Sequence, residues 1–176
     1  FSFAQKAFSF TDSPVTNQVV GGGGGTITFV AAGTAGTSVD NTTPAPGMPA
    51  GLATDDLILA AFTGRDTNFT ASISAGWPAI LTPTQDTGRM LGLWYCFYPS
   101  CSVAPTWTLT TNTGDVVAQL AAFRGINTTA PIAEVGTPSL NVTGNDVGPI
   151  TGLVLGASNA VVVVGIVLRR INLSLA

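Results

Sequence analysis

No window of this chain keeps apolar residues at the helical spacing for three turns, whereas short alternating or wholly apolar runs recur from end to end. Thr26–Ala32 (TITFVAA), Asp56–Thr63 (DLILAAFT), Phe69–Ser74, Trp77–Leu81, Arg89–Tyr98 (RMLGLWYCFY), Thr106–Thr111 (TWTLTT), Val116–Phe123 and Ala160–Leu168 each read as a strand bounded by turn-forming residues. Weaker candidates lie near Ile132–Gly136, Leu140–Thr143 and Ile150–Leu155. Asp115–Arg124 is the nearest approach to a helix, but Gly114 and Gly125 bracket it, and it too reads as a strand. In Arg89–Tyr98, Met90, Gly92, Trp94, Cys96 and Tyr98 share one face and Leu91, Leu93, Tyr95 and Phe97 the other. Both faces are largely apolar, so this strand is expected to be central and buried twice. Many short strands separated by Gly, Pro and Asn predict an all-β chain, a β-sandwich of jelly-roll type.

Two segments interrupt the strand pattern. Gly21–Gly25 is a run of five glycines, a flexible joint that separates an N-terminal arm, residues 1–25 with the joint included, from a sandwich domain, residues 26–176. The arm carries Phe1, Phe3, Phe8 and Phe10, and such rings call for a docking surface on the chain's own body or on a neighbour. Val39–Thr54, rich in Thr, Pro and Gly, reads as a loop. The glycine run does not match a phosphate cradle, because no GK[ST] follows and it precedes a strand rather than a helix. The first ten residues lack the continuous apolar stretch of a signal peptide. Gly152–Leu168 superficially resembles a membrane span, yet it is short for one, Ser158 and Asn159 interrupt it, and its four consecutive valines suit a buried strand. No membrane association is expected.

Charge narrows the chemistry. Only 9% of the 176 residues are charged, the net charge is −3, and there is no histidine. Six scattered basic residues do not make a nucleic-acid surface, and histidine-based acid–base catalysis or metal ligation is impossible. Asp55 and Asp56 are adjacent and point apart in a strand, Glu134 is the only glutamate, and each carboxylate reads as a solvated turn or strand-edge group. Oxygen-ligand calcium sites at Asp40/Asn41 or Asn145/Asp146 lack EF-hand spacing. The expectation is therefore a non-enzymatic protein with no catalytic, cofactor or metal residues. Cys96 and Cys101 are the only cysteines, and their spacing excludes a CxxC redox motif. They read either as a local disulfide across a hairpin tip, with Tyr98, Pro99 and Ser100 as the turn, or as two half-buried thiols. Trp94 and Trp107 sit among apolar strand neighbours and read as core; Trp77, between Gly76 and Pro78, is a candidate exposed glycan contact. Sequons occur at Asn41, Asn68, Asn127, Asn141 and Asn172, as a threonine-rich chain produces by chance.

From about Ile27 to Ile132 the order of motifs resembles an uncharacterised β-rich module of bacteriophage virion and bacterial surface proteins. The residues that carry it are Thr28–Ala32, Pro49-Ala50-Gly51-Leu52 followed by Asp55-Asp56-Leu57-Ile58-Leu59-Ala60, Gly76-Trp77, Leu93-Trp94-Tyr95 and Trp107-Thr108-Leu109. Ala121-Ala122-Phe123-Arg124-Gly125-Ile126, closed by Pro131-Ile132, and Asn159–Val163 complete the series. Thr54 stands where the module commonly has a glycine. The resemblance implies a virion structural protein at the particle surface, a capsid decoration (cement) or tail-associated subunit. It would be a homo-oligomer, trimeric by expectation, partnered by its own copies and a major capsid or tail protein. The alternative is an extracellular carbohydrate-binding or adhesin module reading glycans through Trp77 and loop Asp and Asn residues. The low charge fits a subunit whose faces are covered by neighbours.

Overall fold

The computed structural model describes residues 26–38, 43–64, 70–86, 89–110 and 115–132. These form eight strands: β1 (Thr28–Ala32), β2 (Gly36–Ser38), β3 (Leu57–Gly64), β4 (Thr70–Ile73), β5 (Ala79–Asp86), β6 (Arg89–Phe97), β7 (Trp107–Thr110) and β8 (Val116–Arg124). The described chain is all-β and every strand pairing is antiparallel. The strands of the main sheet run in the order β1-β8-β3-β6-β5, with β2 also on β8, and a second sheet holds β4 and β7. Pairing is nested: β3 with β8, β4 with β7 and β5 with β6. That is an antiparallel ribbon folded at its middle; the β3·β6 pairing then rolls the ribbon onto itself, which is the jelly-roll principle.

The roll places a core between the two sheets. Ile58, Ala60 and Phe62 of β3, Trp94 and Cys96 of β6, Val116, Ala118, Leu120 and Ala122 of β8, and Trp107 of β7 all belong to it. The period of two along each strand puts these residues on one face. Alanines dominate opposite the large rings, and that is how the rings fit. Trp107 packs on Phe62 at 5.8 Å between ring centroids and meets Trp94 edge-on at 6.4 Å. Trp94 in turn lies across Gly92: a Cβ added there would stand 2.8 Å from the ring's Cζ3. The glycine within β6 is thus a seat for an indole rather than a weakness in the strand.

The eight strands of the sequence reading and those of the structure agree in most elements but differ instructively. It is β3, between β6 and β8, whose residues are buried on both faces; in β6, Leu91, Leu93, Tyr95 and Phe97 are only half-buried. β2 was not anticipated, because Gly-Thr-Ser has no apolar pattern; β8 supplies the partner edge that makes it a strand. β5 begins at Ala79 and continues through Pro83 to Asp86, with register slips against β6 between Leu81 and Thr84. β5 is the last strand in the order of its sheet, where the missing N–H of a proline is tolerated. The segment 43–54 contains no strand, as its composition suggested. The N-terminal arm with Phe1, Phe3, Phe8 and Phe10, the Ala160–Leu168 run, the weaker strand candidates beyond Ile132, and the sequons other than Asn127 lie outside the described residues.

Candidate functional site

The chemistry of the described residues gathers at one end of the main sheet, where β3 begins and β6 and β8 finish. Asp56, the residue before β3, is fully buried, while Asp55 beside it is exposed with a φ of 68°. Positive φ at Asp55 turns the chain so that the two neighbouring carboxylates diverge, one to solvent and one inward. The expectation of a solvated carboxylate therefore fails at Asp56. Its Oδ1 accepts from Nε of Arg124 at 2.8 Å and its Oδ2 from the second guanidinium nitrogen, also at 2.8 Å. The backbone N–H of Ala53 donates to Oδ2 at 2.7 Å. Arg124 also donates to the carbonyl of Gly51 at 3.1 Å, so it ties the loop before β3 to the end of β8.

This fork pairs planar guanidinium with planar carboxylate through two parallel hydrogen bonds. Its electrostatic consequence is one-sided. The bonds from Arg124 hold the Asp56 carboxyl below its ordinary value against the opposing effect of burial, with the Ala53 N–H and the positive charge of Arg124 adding to them. Arg124 is raised by the same pair, its hydrogen bonds to Asp56 acting before the charge itself. A carboxylate held ionised and fully occupied in this way is a poor general acid or base. It is a clamp.

The clamp is contiguous with the disulfide. Cys96 and Cys101 are joined, with Cα atoms 6.1 Å apart, inside the separation a disulfide requires. Between them the Tyr98–Pro99 peptide is cis. The Tyr98 N–H donates to the carbonyl of Asp56 and the Asp55 N–H to the carbonyl of Tyr98, both at 2.9 Å. The bridge does not close a hairpin, as its spacing suggested. After Cys101 the chain leaves the main sheet and enters β7 of the other sheet, so the disulfide staples a crossover between layers. Val103, on that crossover, is 72% exposed. Beyond the clamp, Asn127 caps its own turn by accepting from the N–H groups of Thr129 and Ala130 at 2.9 and 3.3 Å.

Trp77 is placed otherwise than the sequence suggested. It is 7% exposed and packed in the inter-sheet core, so it offers no face to a sugar ring. Gly76, with φ of 92°, turns the chain just before it and drives the indole inward. No group of three His, Cys, Asp or Glu side chains able to hold a metal ion occurs among the described residues. The Asp56–Arg124 pairing was missed, although both residues lie in motifs noticed in the sequence, Asp55-Asp56-Leu57 and Phe123-Arg124-Gly125. The available signal was an acid and a base directly against apolar runs in a chain with few charges.

The outer face of the main sheet is the other notable surface. Leu57, Leu59, Ala121 and Phe123 form a second buried apolar cluster, with Ile27, Phe29, Ile80, Tyr95, Phe97 and Ile126 packed against it. Comparison with family models, curated proteins and solved structures finds no match to the chain.

Proposed function

We propose that this protein is a structural subunit of a viral particle, a capsid decoration or tail-associated protein that works through contacts with its own copies and with a major capsid or tail protein. The observation that carries the reading is the scarcity of charge, 9% of the residues, in a chain whose main sheet is apolar on both faces. An antiparallel sheet with one face on a core ordinarily turns a polar face outward. Here the face turned away from the second sheet bears leucines and aromatic rings on successive strands. Only 9% charged residues accompany it, a composition suited to covered rather than bare surface. The motif order described above supplies the viral setting.

The stapled crossover and the Asp56–Arg124 clamp support a mechanical role. Both tie strand ends together, so the sandwich is stiffened where its loops emerge. With Trp77 in the core, the glycan-binding alternative loses the side chain on which it stood. Light scattering of the purified full chain across micromolar concentrations tests the proposal. A stable oligomer, a trimer by expectation, agrees with it, and a monomer throughout overturns it.

A further inference from the structure

The outer face of the main sheet has a definite chemistry. Its described apolar members all come from the strands of that sheet or from Ile27 and Ile126 at their flanks. Its rings meet edge to face: Phe29 with Phe123 at 5.7 Å, and Tyr95 with Phe97 at 6.2 Å. Side chains standing side by side on one sheet face cover each other's flanks but not their tips, yet Leu57, Leu59 and Phe123 are at most 6% exposed. A further layer is needed. Gln119 faces the same side, opposite Ala61 and beside the interruption between β1 and β2. It is 7% exposed; its Nε2 donates to the carbonyl of Gly33 at 3.4 Å, and its Oε1 has no hydrogen-bond partner. A buried acceptor of this kind calls for a donor in whatever covers the face.

We infer that the outer face is the docking surface for the chain's own N-terminal arm, with Phe8 and Phe10 as its anchors. Three observations favour this occupant. The arm reaches the body through the five glycines of Gly21–Gly25, and the first apolar side chains after that joint, Ile27 and Phe29, already belong to the outer cluster. In an extended chain Phe8 and Phe10 share a side while Ser9 takes the opposite one, and Phe1 and Phe3, of the other parity, repeat the alternation with Ser2 between them. That pattern fits a layer laid over aromatic rings, apolar inward and polar outward. An extended segment also brings backbone N–H groups, the donors that Gln119 Oε1 lacks. The Ala160–Leu168 run is apolar on both sides and suits the interior of a sheet rather than an outer layer.

This inference deepens the subunit reading by naming the segment and the surface, and its test separates the two. In the full chain, Phe8→benzoylphenylalanine and, separately, Val163→benzoylphenylalanine introduce photo-reactive probes. After irradiation, mass spectrometry maps the attachment points. The Phe8 probe is expected on the outer face, around Phe29, Leu93, Tyr95 and Phe97, and Leu93→Glu in the same chain is expected to abolish that product. Attachment of the Phe8 probe elsewhere, its failure to attach, or capture of the outer face by the Val163 probe overturns the assignment. The mass of the cross-linked product then speaks to the subunit reading. Doubled mass means that the arm crosses to a neighbouring copy. Single mass with a monomer in light scattering removes the subunit reading and leaves the docking surface standing.

Discussion

Replacing Arg124 with methionine removes the fork while keeping much of the apolar stem. In the intact protein the Asp56 carboxylate accepts two hydrogen bonds from Arg124 and one from the Ala53 N–H; in the variant only the last remains. In the intact protein the Asp56 side chain is fully buried, so the variant leaves a carboxylate that has lost its partner at an interior position. Breaking a buried pair by removing one partner costs about 3–5 kcal/mol, because an uncompensated charge is left inside. The Arg124 side chain is 50% exposed, so water softens the loss and the low end, about 3 kcal/mol, is expected. For a chain of this size that lowers the Tm by roughly 6–12 °C. The sign of the pH dependence follows from the depressed Asp56. Its contribution is fully present above the unfolded-state value, near the ordinary 3.8, and is lost as pH falls through the lower folded-state value. In Arg124→Met, burial acts on Asp56 without the fork to oppose it, and protonation relieves the penalty. The stability gap between the two proteins is therefore widest at neutral pH and narrows in acid. Urea unfolding followed by the fluorescence of buried Trp94 and Trp107 measures both quantities. A gap below about 1 kcal/mol at neutral pH, the value of an ordinary surface pair, or one that does not change toward acid, would refute the reasoning.

Trp94→Ala empties the seat over Gly92 and the contact with Trp107, and is expected to cost about 3–5 kcal/mol in the same urea experiment; a surface-like loss would mean that the ring is not in the core. Gly92→Val drives a side chain into the Trp94 ring and should destabilise by about 1–3 kcal/mol, whereas the double change Gly92→Val with Trp94→Leu should cost less than the sum of the two single changes. Cys96→Ala with Cys101→Ala opens a short loop and should cost roughly 2 kcal/mol on the chain-entropy account. Intact-mass analysis of unreduced, alkylator-treated protein should show neither thiol modified, and two adducts would disprove the bridge.

What the sequence determined on its own is the strand content and its alternation. Period-two patterning in Arg89–Tyr98 and Thr106–Thr111, with glycine and proline between runs, is a local property, since side chains alternate along any extended chain. Local patterning likewise marked Trp94 and Trp107 as core, and the five-residue spacing of Cys96 and Cys101 allowed a bridge without choosing it over free thiols. What it left open are relations between distant segments. Burial of Asp56 depends on the loop at Gly51 and Ala53 and on the end of β8, which lies 68 residues further along. Trp77 looked like a turn residue beside Gly76 and Pro78; only the second sheet above it makes its position an interior one. β2 is a strand because β8 offers it an edge, and β3 rather than β6 is buried twice because the roll sets it between β6 and β8. Each of these outcomes turns on which surface faces which after closure. Alternation states that a strand has two faces, but only tertiary packing decides what, if anything, covers each of them.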